Sequence, residues 1–436
     1  MCNNHYYCVV MAGGLGTRFW PVSRASHPKQ FLTFSQSGKS FLRLAWERLS
    51  GVVPEENRLV VSLERYRRDV LADIPELPAG NLLLEPYNRN TACCIAYAAY
   101  SLLKRDPDAV MVVLPSDQVI DDAGMYRDVV CAAMDYASSH DDLITLGIVP
   151  TRPDPNFGYI QVDGALADDG YVRSGGIMQS DGSVQPGGVV QSDGSVQPGG
   201  VMQSDGSVQP GGVMLGSASG TDRDGRVSAD ECPVDGSVTC GQPLRVKTFT
   251  EKPSRELAQI FIDSGEFLWN AGIFVWKARD IIAALAEHAP EITALWTGWE
   301  TKLGTPEEKA FVERIYPDLP RTSIDYAVME KAENVITYPA TFGWADIGNW
   351  QSFYEYLRGR SDEGDNAVSV RGRTRLKDTS NTIVYSSSKD RLVAVKGLDD
   401  FVVIDSGDVL LICPRDEENL DSFLSELSLP GYEDYR

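Results

Sequence analysis

Short apolar runs alternate with longer amphipathic stretches through the first third of this 436-residue chain, and that alternation limits the fold more than any other feature. YYCVVMAG (6–13), NRLVVSL (57–63), NLLLEP (81–86), AVMVVLPSDQ (109–118) and LITLGIVP (143–150) read as strands. Between them SFLRLAWERLSGV, YRRDVLADI, NTACCIAYAAYSLLKRD and YRDVVCAAMDYASSH carry the helical period. Apolar runs of this length, spaced by helices, argue βαβ units around a sheet buried on both faces. The expected class is α/β: a doubly wound, mostly parallel, Rossmann-like sheet, with ligands at the carboxyl ends of its strands.

The alternation breaks at a low-complexity insert over 166–241, which holds three tandem copies of a 12-residue unit, QSDGSVQPGGV(V/M), at 179–214. Each copy has too few apolar positions to build a core, so an extension is expected there rather than an ordered module. Regular patterning resumes with RVKTFTEKP and FLWNAGIFVWKA as strands, and RDIIAALAEHAP, PEEKAFVERIY and SIDYAVMEKA as helices. After NWQSFYEYLRGR the texture becomes short strands and turns, ending in a helical ENLDSFLSEL. The expected division is a domain over 1–360 and a small β-rich domain over 361–436.

Composition narrows the partners. A formal net charge of −22 disfavours nucleic acid and anionic membrane surfaces. No run approaches the ~20 apolar residues of a membrane helix, and the start has no basic, apolar leader, so a soluble cytoplasmic protein is expected. The eight cysteines form no CxxC pair; Cys232 and Cys240 could pair or bind metal, and free thiols are the expectation.

An anionic ligand would then need a local basic site, and one stands at the front. The strand 6–11 runs straight into Gly13-Gly14-Leu15-Gly16-Thr17-Arg18, with Arg24 and Lys29 close behind. Glycines at a strand end let backbone N–H groups converge on an anion. Two familiar phosphate loops fail here: the third Rossmann glycine would fall at Phe19, and no Walker lysine has the required spacing. Asp117 follows an apolar strand at the edge where ligands sit. Asp346 just precedes the helix of NWQSFYEYL, where an N-cap is the alternative to a metal ligand. Arg24 reads equally as an exposed arginine or a phosphate ligand.

G-G-x-G-T-R-x-W-P-x-S-R followed by P-K-Q-F resembles the signature of the sugar-phosphate nucleotidyltransferases, in the form found in their mannose-1-phosphate guanylyltransferase branch. EPYNRNTA (85–92), LPSDQ (114–118), FGYI (157–160), FTEKP (249–253), WNAGIF (269–274) and WADIGNW (344–350) follow in the family's order. The resemblance implies transfer of GMP from GTP to mannose 1-phosphate, with Mg²⁺ as cofactor and with a homodimer as one assembly open to the chain. It assigns the catalytic work to Arg18, Lys29, Asp117, Lys252 and Asp346, with Asp117 and Asp346 on the metal. Ala12, Gly13, Gly14, Gly16, Thr17 and Ser116 would bind the nucleotide, the amides from Gly14 to Thr17 on its phosphates, and Glu85, Asn88, Asn90 and Thr91 would meet its ribose and base. Gly158, Tyr159, Glu251, Lys252 and Asn270 would hold the sugar phosphate. Another hexose 1-phosphate, another NTP, or a non-catalytic sensor of nucleotide sugars are the alternatives.

Overall fold

The computed structural model describes residues 3–14, 16–24, 26–33, 38–163, 242–358, 364–415 and five positions near the C-terminus. The repeats, Cys232 and Cys240, and most of the expected terminal helix lie outside the described residues.

Nine strands form the main sheet: β1 Tyr6–Ala12, β2 Arg58–Leu63, β3 Leu82–Glu85, β4 Val110–Pro115, β6 Leu143–Ile148, β7 Tyr159–Val162, β8 Leu244–Thr250, β9 Phe267–Lys277 and β10 Val335–Ala340. Two short strands, β5 Gln118–Ile120 and β11 Trp344–Asp346, pair with each other beside it. The order across the sheet is β3-β2-β1-β4-β9-β6-β10-β8-β7.

β3, β2, β1 and β4 are parallel, as are β6 and β10. Beyond β4 the expected open, doubly wound sheet gives way to something else. The long β9 lies antiparallel between β4 and β6, β8 runs antiparallel to β10, and β7 is antiparallel to both β8 and β9. β9, β6, β10, β8 and β7 therefore close a ring of pairings. The cause is the reach of β9: its last residues pair with β4 while its first residues, Phe267–Trp269, pair with β7. The α/β class stands, and the mostly parallel description fits the six strands named first.

Both faces of the sheet are buried, which explains the unbroken apolar strands. In β1, Tyr7 and Val9 join one core with the helix Asn90–Arg105, while Tyr6, Cys8 and Val10 join the other with the helices Phe41–Arg48 and Ala123–Ser139. The carboxyl ends of β1, β3 and β4 deliver Ala12, Glu85 and Pro115 to one edge.

The C-terminal region is β-rich, as its sequence suggests. β12 Ala367–Val370, β14 Ile383–Ser386 and β16 Phe401–Asp405 are parallel, with β17 Leu410–Pro414 antiparallel to β16. β13 Arg373–Lys377 and β15 Leu392–Lys396 form a second parallel column. This stack seats Ala367, Ile383, Tyr385 and Ile404 against Phe19, Trp20 and Trp350, and so braces the back of the loop that follows β1. No helix among the described residues is long and apolar enough to cross a membrane.

Candidate active site

The glycine loop is built by its neighbours. Gly16 has φ +63°, and a Cβ there would lie 2.5 Å from the backbone nitrogen of Lys29, so only glycine permits this approach. Gln30 donates to the carbonyls of Ala12 (3.0 Å) and Gly14 (3.2 Å), Asn88 to that of Gly13 (2.9 Å), and Ser23 to that of Gly16. In a trans peptide the next N–H points opposite to its carbonyl, so these contacts turn the amides of Gly13 and Thr17 away from the packed side. Gly14 faces open space. Gly16→Ala should therefore separate the loop from Lys29. Steady-state kinetics should show at least a ~10-fold loss in kcat/KM with the chain still folded.

The loop roofs a cavity of about 240 Å³ lined by Gly13, Gly14, Gly16, Lys29, Glu85, Asn88, Asn90, Thr91, Ser116 and Asp117. The spacing of the sequence blocks scatters these residues over a hundred positions, and the fold brings them to one hole. Glu85 lies almost wholly buried at the end of β3 and accepts from the Tyr316 hydroxyl at 3.1 Å. Burial pushes its carboxyl up to about 8. Thr91 uses its hydroxyl to accept from the Ile324 N–H at 2.9 Å, so its side chain also holds the neighbouring segment in place.

At the mouth of this cavity sits Lys29. It is buried, its Nζ lying 2.8 Å from Asp117 Oδ2 and 3.9 Å from Asp346 Oδ1. The antiparallel pairing of β11 with β5 sets Asp346 opposite Gln118, next in chain to Asp117. Two carboxylates converging on one point are the donors a hard divalent cation prefers. Desolvation at the floor of the cleft is the largest cause raising Asp346 to about 6; Lys29 opposes the shift and the charge of Asp117 adds to it. A cation bound there would relieve both. The N-cap alternative for Asp346 fails, because the helix Trp350–Leu357 is capped by Asn349, whose Oδ1 accepts from Ser352 N–H in a reciprocal capping box.

A second cavity, about 710 Å³, opens on the other side of Asp346. Arg18, Arg152, Lys252, Arg255 and Arg415 line it, with Asp154 and Glu355. Lys252 Nζ lies 2.9 Å from Glu251 Oε1; burial works against its charge, but that hydrogen bond and the charge of Glu251 hold its ammonium above the ordinary range. Gly158 lies so close to Glu251 that a Cβ would come within 2.5 Å of Oε2. Asn270, on β9, donates to Asp325 Oδ1 at 3.0 Å and accepts from Thr145 and Gly272.

The side chains of two candidates are engaged in holding other segments. The Tyr159 ring is fully buried and its hydroxyl accepts from the Asp154 N–H at 3.0 Å, so the side chain positions the 152–157 loop. Arg24 turns away from the glycine loop and grips Asp408 through both terminal nitrogens, which makes it an anchor for the C-terminal stack. Sequence reasoning missed Arg152, Arg255, Arg415 and Asp325. Gln30 lies within P-K-Q-F, and its buried amide holds the glycine loop.

Backbone amides on one side of a lysine–carboxylate cluster, and cations on the other, suit a protein that moves a group between two phosphates. The chain belongs to the nucleotidyl transferase family, whose model matches residues 7–174 and 233–362. A "MannoseP isomerase/GMP-like beta-helix domain" model matches 372–419, the region of the parallel stack. A mannose-1-phosphate guanylyltransferase of Escherichia coli (strain K12) is 30% identical over 444 residues, covering 100% of this chain and 76% of that protein. Mannose-1-phosphate guanylyltransferase ManC of Salmonella typhimurium (strain LT2) is 31% identical over 416 residues, covering 94% and 70%. A crystal structure from Thermus thermophilus, described as a mannose-1-phosphate geranyltransferase, superposes with a TM-score of 0.71 at 27% identity, covering 98% of this chain and 100% of that one.

Proposed function

We propose that this chain transfers GMP from GTP to α-D-mannose 1-phosphate and releases pyrophosphate. The observation that carries the reading is the meeting of two cavities at one Lys29–Asp117–Asp346 cluster, because a transfer between two phosphates needs both bound on either side of shared charge. A sugar-phosphate oxygen attacks the α-phosphorus and pyrophosphate leaves in line. The nucleophile is already anionic, so no protein nucleophile is needed; positioning and charge do the work.

Ala12, Gly13, Gly14, Gly16 and the backbone of Thr17 form the phosphate cradle, with Ser116 beside it. Asn88 and Asn90, with Thr91, border ribose and base. Glu85 would accept from guanine N1–H and the exocyclic amine, an edge adenine lacks. Lys29 balances charge on the α-phosphate, and Arg18 holds the departing pyrophosphate with a fork suited to phosphate oxygens. Lys252 binds the sugar phosphate, while Glu251 receives sugar hydroxyls and Gly158 gives the hexose room to approach. Asp117 and Asp346 would hold Mg²⁺, which when bound supplies neutralising charge to the phosphates between them.

A panel of four NTPs against several hexose 1-phosphates, read by pyrophosphate release, tests the reading; preference for any pair other than GTP with mannose 1-phosphate would overturn it. Within it, Arg18→Ala should lower kcat/KM by ~10²-fold or more while leaving the melting temperature unchanged, since this exposed arginine buries little. Near-wild-type turnover by the folded variant would remove Arg18 from the mechanism.

A further inference from the structure

The pattern of SIDYAVMEKA predicts an α-helix, but Asp325–Met329 form a single π-helical turn. Such turns re-aim side chains and recur at functional sites. This one is pinned from both halves of the site. The Ile324 N–H donates to Thr91 Oγ1 (2.9 Å), and the Ala92 N–H to the Thr322 carbonyl (3.3 Å), on the nucleotide side. On the sugar side the Glu251 N–H donates to Glu330 Oε1 (3.2 Å), and between the two anchors Asp325 Oδ1 accepts from Asn270 Nδ2 (3.0 Å).

The hydrogen-bonding capacity of Asn270 is nearly spent. Its Oδ1 already accepts from the Thr145 hydroxyl (2.9 Å) and the Gly272 N–H (3.1 Å), and one Nδ2 proton goes to Asp325. It can donate once more and accept nothing, so it cannot receive a hexose hydroxyl proton. Glu251 gives Oε1 to Lys252 and keeps Oε2 for a sugar hydroxyl. A sugar that offers several O–H donors needs another acceptor in this corner, and Asp325 stands there. Burial, then the charge of Glu251, push its carboxyl up to about 7, against hydrogen bonds from the backbone and the Ser323 side chain and the charge of Lys252.

We propose that Asp325 is a specificity residue, accepting a hydrogen bond from one hydroxyl of the bound hexose, with Asn270 holding it in position. The proposal rests on the hexose 1-phosphate reading above. A neutral hydroxyl suits the place better than a cation, because Lys252 already supplies positive charge to the pair.

The test compares wild type with Asp325→Asn on mannose 1-phosphate and its monodeoxy analogues. The wild type should penalise one analogue by ~10²-fold in kcat/KM, as sites built around a hydroxyl do. In the variant KM for mannose 1-phosphate should rise ~10-fold or more, KM for GTP should stay within about twofold, and the penalty against that one analogue should vanish. A uniform loss across all analogues would reduce Asp325 to a support for Asn270 and overturn the proposal, as would an unchanged KM. Asp325→Ser, smaller and also uncharged, gives the same readout should the asparagine variant fail to fold. If the wild type prefers a different hexose 1-phosphate, the functional reading falls, while Asp325 stands or falls on whether its variant levels discrimination among that sugar's deoxy forms.

Discussion

Asp117→Asn and Asp346→Asn should each cost ~10³-fold or more in kcat, the largest losses expected from any single change in this site. Both substitutions keep shape and remove only charge, so any effect is electrostatic. Each also disturbs Lys29, which is buried and takes its closest contact, 2.8 Å, from Asp117. In Asp117→Asn the amide oxygen can still accept from the ammonium, but the carboxylate left beside it is Asp346 at 3.9 Å, and an underpaired buried charge lowers the melting temperature as well. Asp346→Asn should spare stability, since its removal eases the crowding that raises its carboxyl. High Mg²⁺ should restore part of the activity of both, because a weakened ligand set is refilled by mass action. Asn349→Ala supplies the contrast: losing the cap costs ~1 kcal/mol of stability and should leave kcat near wild type. A fully active Asp346→Asn enzyme would show that Asp346 has no catalytic part.

What could be read in the sequence, and what could not, divides along physical lines. The glycine loop was legible because its requirement is local: a strand end, a positive φ and a close approach are set within a few residues. Asp117 was legible because a parallel strand presents its carboxyl end to ligands. The role of Asp346 was not settled by position, since an aspartate just before a helix also reads as a cap; only the geometry of Asn349 resolves that. The closed ring of strands was hidden because β9 is apolar along most of its length and buried on both faces, and such a strand looks the same parallel or antiparallel. Arg415 reaches the second cavity from the C-terminal stack, and Arg152 from a loop held by Tyr159; no sequence period connects either to Arg18. Asp325 escaped because its helical pattern is intact in sequence, and the π turn that aims it arises from tertiary anchors at Thr91 and Glu251.

Glu85→Gln should lower kcat/KM for GTP by ~10²-fold or more while raising stability. The two effects share one cause. Glu85 is almost fully buried, receives one hydrogen bond from Tyr316, and carries a carboxyl pushed up to about 8 by burial. An ionised carboxylate there answers two adjacent donors of guanine, whereas a glutamine offers one acceptor and sets an N–H against the base's own N–H. Turnover of ATP, with no such edge, should change little, so the GTP/ATP ratio is the decisive measurement. The pH dependence follows with a definite sign. Below about 8 the free protein holds Glu85 protonated, and binding guanine must expel that proton, so wild-type KM for GTP should fall as pH rises toward 8 and level off above it; in the variant this component is absent. Stability runs the other way. Between the ordinary value of 4.5 and about 8 the folded chain keeps a proton the unfolded chain has lost, so wild-type stability declines across that window relative to the variant. The melting-temperature advantage of Glu85→Gln should accordingly grow from pH 5 to pH 8, reaching a few degrees, and then stay constant. A variant with an unchanged GTP/ATP ratio would show that Glu85 does not read the base, whatever happens to its melting temperature.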